Sequence, residues 1–341
     1  MLNIKELSLK ELEELLVSWG EKRFHAAQIF SWIYQRGAQD FSQMSNLSLA
    51  LRKKLEERLQ FSSLNLAANL KSSDGTEKFL FSLADNNFIE AVSIPMQKRL
   101  TGCVSSQAGC KFACSFCASG VAGFRRNLSA AEIIDQALFL NNHSHGKLTH
   151  LVFMGTGEPL DNYENVLKAI RIINSPQSLN IGARRITIST SGIIPAIRQL
   201  EKEGLQIELS VSLHAADNRT RDSIMPINKK YPLQELIAAC KNYIQATNRQ
   251  VTFEYILIKG LNSDLQNALN LGKILKRMNC KVNLIPANPV EELKIFPPEK
   301  KEIVAFKTSL LKSGINATLR KSRGEDIHAA CGQLRLKYEK S

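Results

Sequence analysis

The sequence predicts an α/β protein, a parallel sheet covered by helices, preceded by a small helical domain and a connecting β-hairpin. Three observations carry this. Apolar strand-like runs at 148–154, 185–190, 207–212, 251–258, 281–285 and 317–319 alternate with helical segments, the pattern of a parallel sheet. Before them, apolar residues recur near a 3.6 period. Between the two regions, Phe79, Phe81 and Leu83 alternate, as do Ile89, Ala91 and Ser93, around the turn Asp85-Asn86-Asn87. Six strand–helix units are fewer than a closed eight-fold barrel needs, so a partial barrel or an open doubly wound sheet are the candidates. Both put chemistry at the C-terminal ends of the strands.

In chain order, residues 1–75 read as helical. Leu7, Leu9, Leu12, Leu15 and Leu16 form one stripe, and Ala27, Ile29, Phe30, Ile33 and Tyr34 another. Lys71-Ser72-Ser73-Asp74-Gly75 reads as a boundary turn, 76–98 as hairpin and linker, and 99–341 as the core. Ser129 with Glu132 predicts a capping box, with Leu128 and Ile133 as its hydrophobic staple. Asp161 with Glu164, and Ser263 with Gln266, read as further helix starts; Gly204 and Gly314 read as stops.

The chain has 341 residues and is 44% hydrophobic, enough for a sizeable core. No apolar run reaches the roughly 18 residues of a membrane helix, and the first residues lack a signal-peptide pattern, so a cytoplasmic protein is expected. A net charge of +13 points to a polyanionic partner such as RNA or DNA. Residues 1–75 carry 10 Lys/Arg against 9 Asp/Glu, so nearly all the excess lies beyond them. Seven cysteines in that compartment favour metal or thiol chemistry over a disulfide framework. Cys240 and Cys280 read as small buried hydrophobes, and His143 and His145 as solvated.

Cys110, Cys114 and Cys117 have the spacing C-x3-C-x2-C. Three thiolates on one loop can hold three irons of a cubane cluster and leave the fourth open, whereas structural zinc and electron-transfer clusters usually take four ligands. The alternative makes Cys103 a fourth ligand of a structural site. Gly155-Thr156-Gly157-Glu158-Pro159 follows a strand; its glycines allow a ligand to approach backbone closely, and Glu158 suits an ammonium group.

The cysteine spacing, with Phe116 before the last cysteine, and the GxGEP turn resemble the radical S-adenosylmethionine (SAM) superfamily. Longer stretches narrow this: Ala27-Gln28-Ile29-Phe30-Ser31-Trp32-Ile33-Tyr34, Cys103-Val104-Ser105-Ser106-Gln107-Ala108-Gly109-Cys110, Gly123-Phe124-Arg125-Arg126-Asn127-Leu128, Ser210-Val211-Ser212-Leu213-His214, and Arg323-Gly324-Glu325-Asp326 leading to Cys331-Gly332-Gln333-Leu334. Over nearly the whole chain they resemble the dual-specificity ribosomal and transfer RNA adenine C2 methyltransferases. The resemblance implies a partial (β/α)6 barrel, a helical RNA-binding N-terminal domain, a [4Fe–4S] cluster on Cys110, Cys114 and Cys117, and two SAM molecules per turnover. It implies SAM contacts from Gly157, Glu158, Ser189, Ser212, Leu213, His214 and Asn288. Cys331 would carry the methyl group, Glu90 would be the general base, and Cys103 would release product through a transient disulfide with Cys331. The implied partners are 23S ribosomal RNA, transfer RNA and a flavodoxin- or ferredoxin-type electron donor, with the enzyme a monomer. Thr156 stands where methionine is usual, and Ala287 where an aromatic is common. The rival readings are a C8 adenine methyltransferase of the antibiotic-resistance type, a radical SAM enzyme that activates a protein, and a non-catalytic zinc- or cluster-stabilised RNA-binding module.

Overall fold

A computed structural model describes residues 1–61, 64–121, 123–143, 146–288, 295–320 and 323–327; His145 and Cys331 lie outside the described residues. Three helices open the chain: α1 (Leu9–Ser18), α2 (His25–Phe30) and α3 (Leu49–Arg58). Ser8 and Glu11 close a capping box on α1. Short parallel strands β1 (Leu2–Asn3) and β2 (Leu59–Gln60) pair across the ends of this unit.

The helical reading of 1–75 stops short. Asn65–Lys71 is a strand, β3, although Leu66, Ala67, Ala68 and Leu70 favour a helix. Pairing with β4 (Glu77–Ser82) overrides local propensity. The five residues read as a boundary are therefore a hairpin turn: the Ser72 amide donates to the Thr76 carbonyl (2.8 Å), and Gly75 adopts φ +84°. A bulge between Leu66 and Ala68 interrupts the β3 ladder. The expected hairpin of β4 and β5 (Phe88–Met96) is antiparallel as read, with Asn86 at φ 64° in its turn.

The chain continues through β6 (Arg99–Cys103) and β7 (Gln107–Gly109), the short α4 (Ala118–Val121), β8 (Phe124–Asn127) and α5 (Ala130–His143). Then come β9 (His150–Phe153), α6 (Tyr163–Asn174), β10 (Ile186–Thr190), α7 (Ile194–Leu200) and β11 (Glu208–Ser212). The rest is α8 (Asn218–Ile224), α9 (Leu233–Thr247), β12 (Val251–Leu257), α10 (Leu265–Leu275), β13 (Cys280–Pro286), α11 (Lys300–Lys312) and β14 (Asn316–Leu319). One ten-stranded sheet runs β14-β13-β12-β11-β10-β9-β6-β5-β4-β3. From β6 to β14 every neighbour is parallel, giving six β/α units closed by a last strand. The first of those units begins at β6, which the hydrophobic pattern misses because Arg99, Thr101 and Gly102 dilute it. The antiparallel β5, β4 and β3 continue the same sheet, so the hairpin is its extension.

The Ser129–Glu132 capping box forms (3.2 and 2.9 Å), and Leu128 and Ile133 are buried beside it. The other two expected starts shift by one residue. Asn162 precedes α6 but donates to the Ser106 and Leu128 carbonyls, and Asp264, not Ser263, caps α10 through the Asn267 amide (2.8 Å). Gly314 ends α11 as read: the Ile315 amide returns to the Leu310 carbonyl (3.0 Å) with Gly314 at φ 77°. Cys240 and Cys280 are buried apolar packing. His143 is not simply solvated, since its ring stacks on Phe139 (centroids 4.9 Å) and meets Phe79 edge-on (5.1 Å).

One hydrophobic cluster joins Ile4, Leu12, Phe30 and Leu55 of the N-terminal unit to the barrel core. Lys5 also forms a buried ion pair with Asp135 of α5. Among the described residues no helix is long and apolar enough to cross a membrane.

Candidate active site

In the parallel strands a polar residue stands at every second position: Thr187 and Ser189, Ser210 and Ser212, Thr252 and Glu254, Lys281 and Asn283. Register puts Ser189 beside Ser210, and Ser212 beside Glu254 and then Asn283, so these side chains share one face of the sheet. Glu254 accepts from Ser210 Oγ (2.8 Å) and from Asn283 Nδ2 (2.8 Å). Reading the runs as continuously apolar overlooks this lining, yet a period of two was there to find it.

The GxGEP turn caps β9 at the C-terminal end of that face. Its glycines serve a close approach of chain to chain. A Cβ on Gly155 would lie 2.7 Å from the backbone of Val104 and Ser105, and one on Gly157 2.6 Å from Gln107 Cβ. Ser105 Oγ accepts from the Thr156 amide (2.9 Å) and donates to the Glu90 carbonyl (2.6 Å). Gln107 accepts from the Glu158 amide (2.8 Å) and donates to Asn127 (2.8 Å) and Asp161 (2.9 Å). Glu158 is buried, which raises its carboxyl above the usual range, and it accepts from the Ser191 (2.6 Å) and Leu160 (3.1 Å) amides. Thr156 Oγ1 and Ser106 Oγ are buried without a partner among the described residues.

Ser189 and Ser212 are half-buried at neighbouring strand ends, and Leu213 is fully buried. His214 takes the left-handed conformation (φ 59°) and is 5% exposed. The Ile256 amide donates to its Nδ1 (3.0 Å), so the neutral ring carries its proton on Nε2. Burial, then the nearby Arg221 cation, pushes the imidazole down to about 3. Asn288 is exposed at the last described position after β13.

The cluster loop leaves β7 with Gly109 pressed against the Gly123 carbonyl, and the Cys110 amide donates to that carbonyl (3.2 Å). Phe112, Cys114 and Phe116 pack on Ile224, Met225 and Ile227, and the Ser115 amide donates to the Ile224 carbonyl (3.0 Å). Phe116 meets His214 edge-on (4.8 Å) and packs against the cluster of Ile258, Ala287 and Ile295. Among the described residues no three His, Cys, Asp or Glu side chains already stand in metal-binding geometry. The three thiols nevertheless sense one another. Burial pushes Cys110 up to about 12, and the charges of Cys117, Glu158 and Asp161 add to this; Cys114 is raised in the same way. Burial thus favours the protonated form of Cys110 and Cys114, and cationic iron is what turns such a set into thiolate ligands. The donor set therefore fits an iron–sulfur cluster.

Cys103 ends β6, buried and not in a disulfide, opposite Val92 of β5. Glu90, two residues earlier on β5, shares its face at the C-terminal end of the sheet. Glu90 is 3% exposed and ion-paired to the fully buried Lys78 (2.9 Å), so it is no solvated hairpin carboxylate. The chain before Cys331 docks on the β3–β4 turn: Asp326 accepts from Ser72 Oγ (2.6 Å) and the Ser73 amide (3.0 Å).

The sequence reading passed over Lys78 and Arg221. Arg221 is wholly buried and donates to the carbonyls of Ser191 (2.7 Å), Ser212 (3.1 Å) and Leu213 (3.1 Å) and to Asn228 Oδ1 (2.9 Å). It ties the ends of β10 and β11 to the helix that supports the cluster loop. Arg221 lies in the polar run Asn218–Ser223, where a buried arginine looks like its solvated neighbours and leaves no hydrophobic signal.

Residues 2–60 match the family model "Ribosomal RNA large subunit methyltransferase N-terminal domain", and residues 104–272 match that of the radical SAM superfamily. A protein of Thermoanaerobacter sp. strain X514 named "Probable dual-specificity RNA methyltransferase RlmN" is 47% identical over 100% of this chain and 99% of its own length. The chain belongs to the RlmN family. A relative of the same name from Geobacillus kaustophilus is 46% identical over 99% of this chain and 93% of its own. The crystal structure of a radical SAM methyltransferase from Sphaerobacter thermophilus is 43% identical and superposes with a TM-score of 0.94, covering 98% of this chain and 99% of that one. RlmN-family proteins are radical SAM methyltransferases, and membership of that superfamily implies a [4Fe–4S] cluster and SAM.

Proposed function

We propose that this enzyme methylates C2 of an adenosine in 23S ribosomal RNA and in transfer RNA, acting as a monomer in the cytoplasm with a flavodoxin- or ferredoxin-type electron donor. The observation that carries this is the buried Glu90 beside Cys103 at the C-terminal end of the sheet, in a full-length relative of the RlmN proteins.

C2 of adenine is electron-poor and cannot attack the methyl group of SAM as a nucleophile. Bound here, a [4Fe–4S] cluster would supply the one-electron reductive cleavage of SAM that gives a 5′-deoxyadenosyl radical, the electron coming from the donor. Cys110, Cys114 and Cys117 would hold that cluster, and Gly157, Glu158, Ser189, Ser212, Leu213, His214 and Asn288 would line the SAM site. The Nε2–H of a neutral His214 is a donor fixed in direction by the Ile256 amide. A methyl group placed on the Cys331 sulfur by one SAM would lose a hydrogen atom to the 5′-deoxyadenosyl radical, and the resulting carbon radical bonds to C2. The adduct gives one electron back to the oxidised electron donor, and Glu90 takes the C2 proton. The Cys103 thiolate attacks the Cys331 sulfur, and the bond from that sulfur to the RNA-linked carbon breaks with its electron pair going to the carbon. That carbon takes up a proton to become the methyl group, and a Cys103–Cys331 disulfide forms. The helical unit ahead of β3, residues 1–60, serves as the RNA-binding accessory unit.

Reconstituted enzyme, SAM, reductant and methylation-naive ribosomal and transfer RNA, followed by digestion and mass spectrometry, should yield 2-methyladenosine. Finding 8-methyladenosine would reassign the position, and no methylated base would sink the reading. Cys103→Ala should accumulate a covalent protein–RNA adduct.

A further inference from the structure

The ribbon of β7 and β8 rims the mouth of the site and presents an aromatic ring outward. Phe124 is 39% exposed, unusual for a ring one hydrogen bond away from a cluster cysteine, since its neighbour Gly123 accepts from the Cys110 amide (3.2 Å). The ribbon is fixed. Arg126 pairs with Asp85 of the β4–β5 turn and with Glu132 of α5 (2.8 Å), and Gln107 bonds Asn127 (2.8 Å). Pairing of Arg126 with Ala108 and of Phe124 with Gly109 leaves Arg125 bulged out of the ladder and exposed. A bulge beside an active site re-aims a side chain, here a cation, away from the sheet. Lys111 stands over both Phe112 (5.7 Å) and Phe124 (6.0 Å), half-exposed and ion-paired to Asp161 (2.5 Å).

An exposed aromatic beside an exposed cation matches the chemistry of an unpaired nucleotide, which offers a base face for stacking and a phosphate for the charge. The proposed reaction demands such a partner: a base modified within a walled lumen has to leave its own stack, and its neighbours lose their stacking with it. We propose that Phe124 is a stacking shelf for a nucleobase next to the target adenosine, with Arg125 holding the adjoining phosphate. This rests on the reading that the substrate is RNA.

The test uses cluster-reconstituted full-length enzyme and an RNA stem-loop that the wild type converts to 2-methyladenosine. Binding is read by fluorescence anisotropy, and stacking by quenching of a 2-aminopurine placed beside the target. Phe124→Ala and Phe124→Leu should raise Kd about tenfold and lose the quenching, while Phe124→Trp keeps both. Arg125→Gln should lower the slope of log Kd against log salt by about one. Iron and sulfide content checks that each variant is folded; if Ala fails there, Leu against Trp decides. Leu binding and quenching as Phe does would reduce the position to apolar packing and overturn the shelf, as would an Ala variant equal to wild type. An unchanged salt slope would overturn the phosphate contact. A wild type that makes no 2-methyladenosine instead refutes the RNA-methylation reading, an outcome separate from these.

Discussion

His214 is the residue whose surroundings most change its chemistry. Its folded imidazole is pushed down to about 3, against about 6.5 in an unfolded chain. Below pH 6.5 the unfolded state therefore binds a proton that the native state refuses. Stability from this group is full above pH 6.5 and is lost as pH falls towards 3, by about 1.4 kcal/mol per unit. Urea unfolding at pH 7.5 and 5.5 should show wild type losing roughly 1 kcal/mol more than His214→Gln; equal losses would contradict it. Sequence made the histidine visible as a motif residue. Its left-handed backbone and its acceptance of the Ile256 amide arise from strands 42 residues apart and could not be read locally. The same holds for Glu90, legible as a carboxylate on a hairpin while Lys78, its buried partner, was not, because cross-strand ion pairs leave no period in the sequence.

At the scale of elements, the GxGEP turn packs closely against residues 104–107. Gly155→Ala and Gly157→Ala push a methyl into backbone that cannot yield without separating β9 from the loop after β6. Each should cost about 2 kcal/mol or more and reduce iron retained after reconstitution, read by denaturant midpoint and iron content. Full stability with full iron in both variants would show the approach to be looser. Strands β9 to β14 were legible because aliphatic runs bounded by glycine and capping residues are strong local signals. Strand β6 was not, since Leu100 alone supplies its aliphatic character, and β3 was hidden by its helix-favouring alanines. Both are strands because their neighbours offer them a ladder.

For the whole molecule, the docking of the N-terminal helices on the barrel is the feature that composition could not foretell. Lys5 and Asp135 pair across that junction with side chains 4% and 6% exposed, inside the shared apolar cluster. Lys5→Met would strand a buried carboxylate and should destabilise by about 3–5 kcal/mol, with Lys5→Met/Asp135→Leu recovering most of it. Thermal unfolding of the three proteins measures this, and a double variant no better than the single would mean that the charge pair itself holds the junction. The bulge on β3 bears on the molecule's dealings with its neighbours. A sheet of ten strands has outer rims where another chain could add itself, and β3 is one of them. With its ladder broken between Leu66 and Ala68 and a lysine at its end, β3 gives an incoming strand no regular row of amides and carbonyls, which guards this rim against edge-to-edge aggregation.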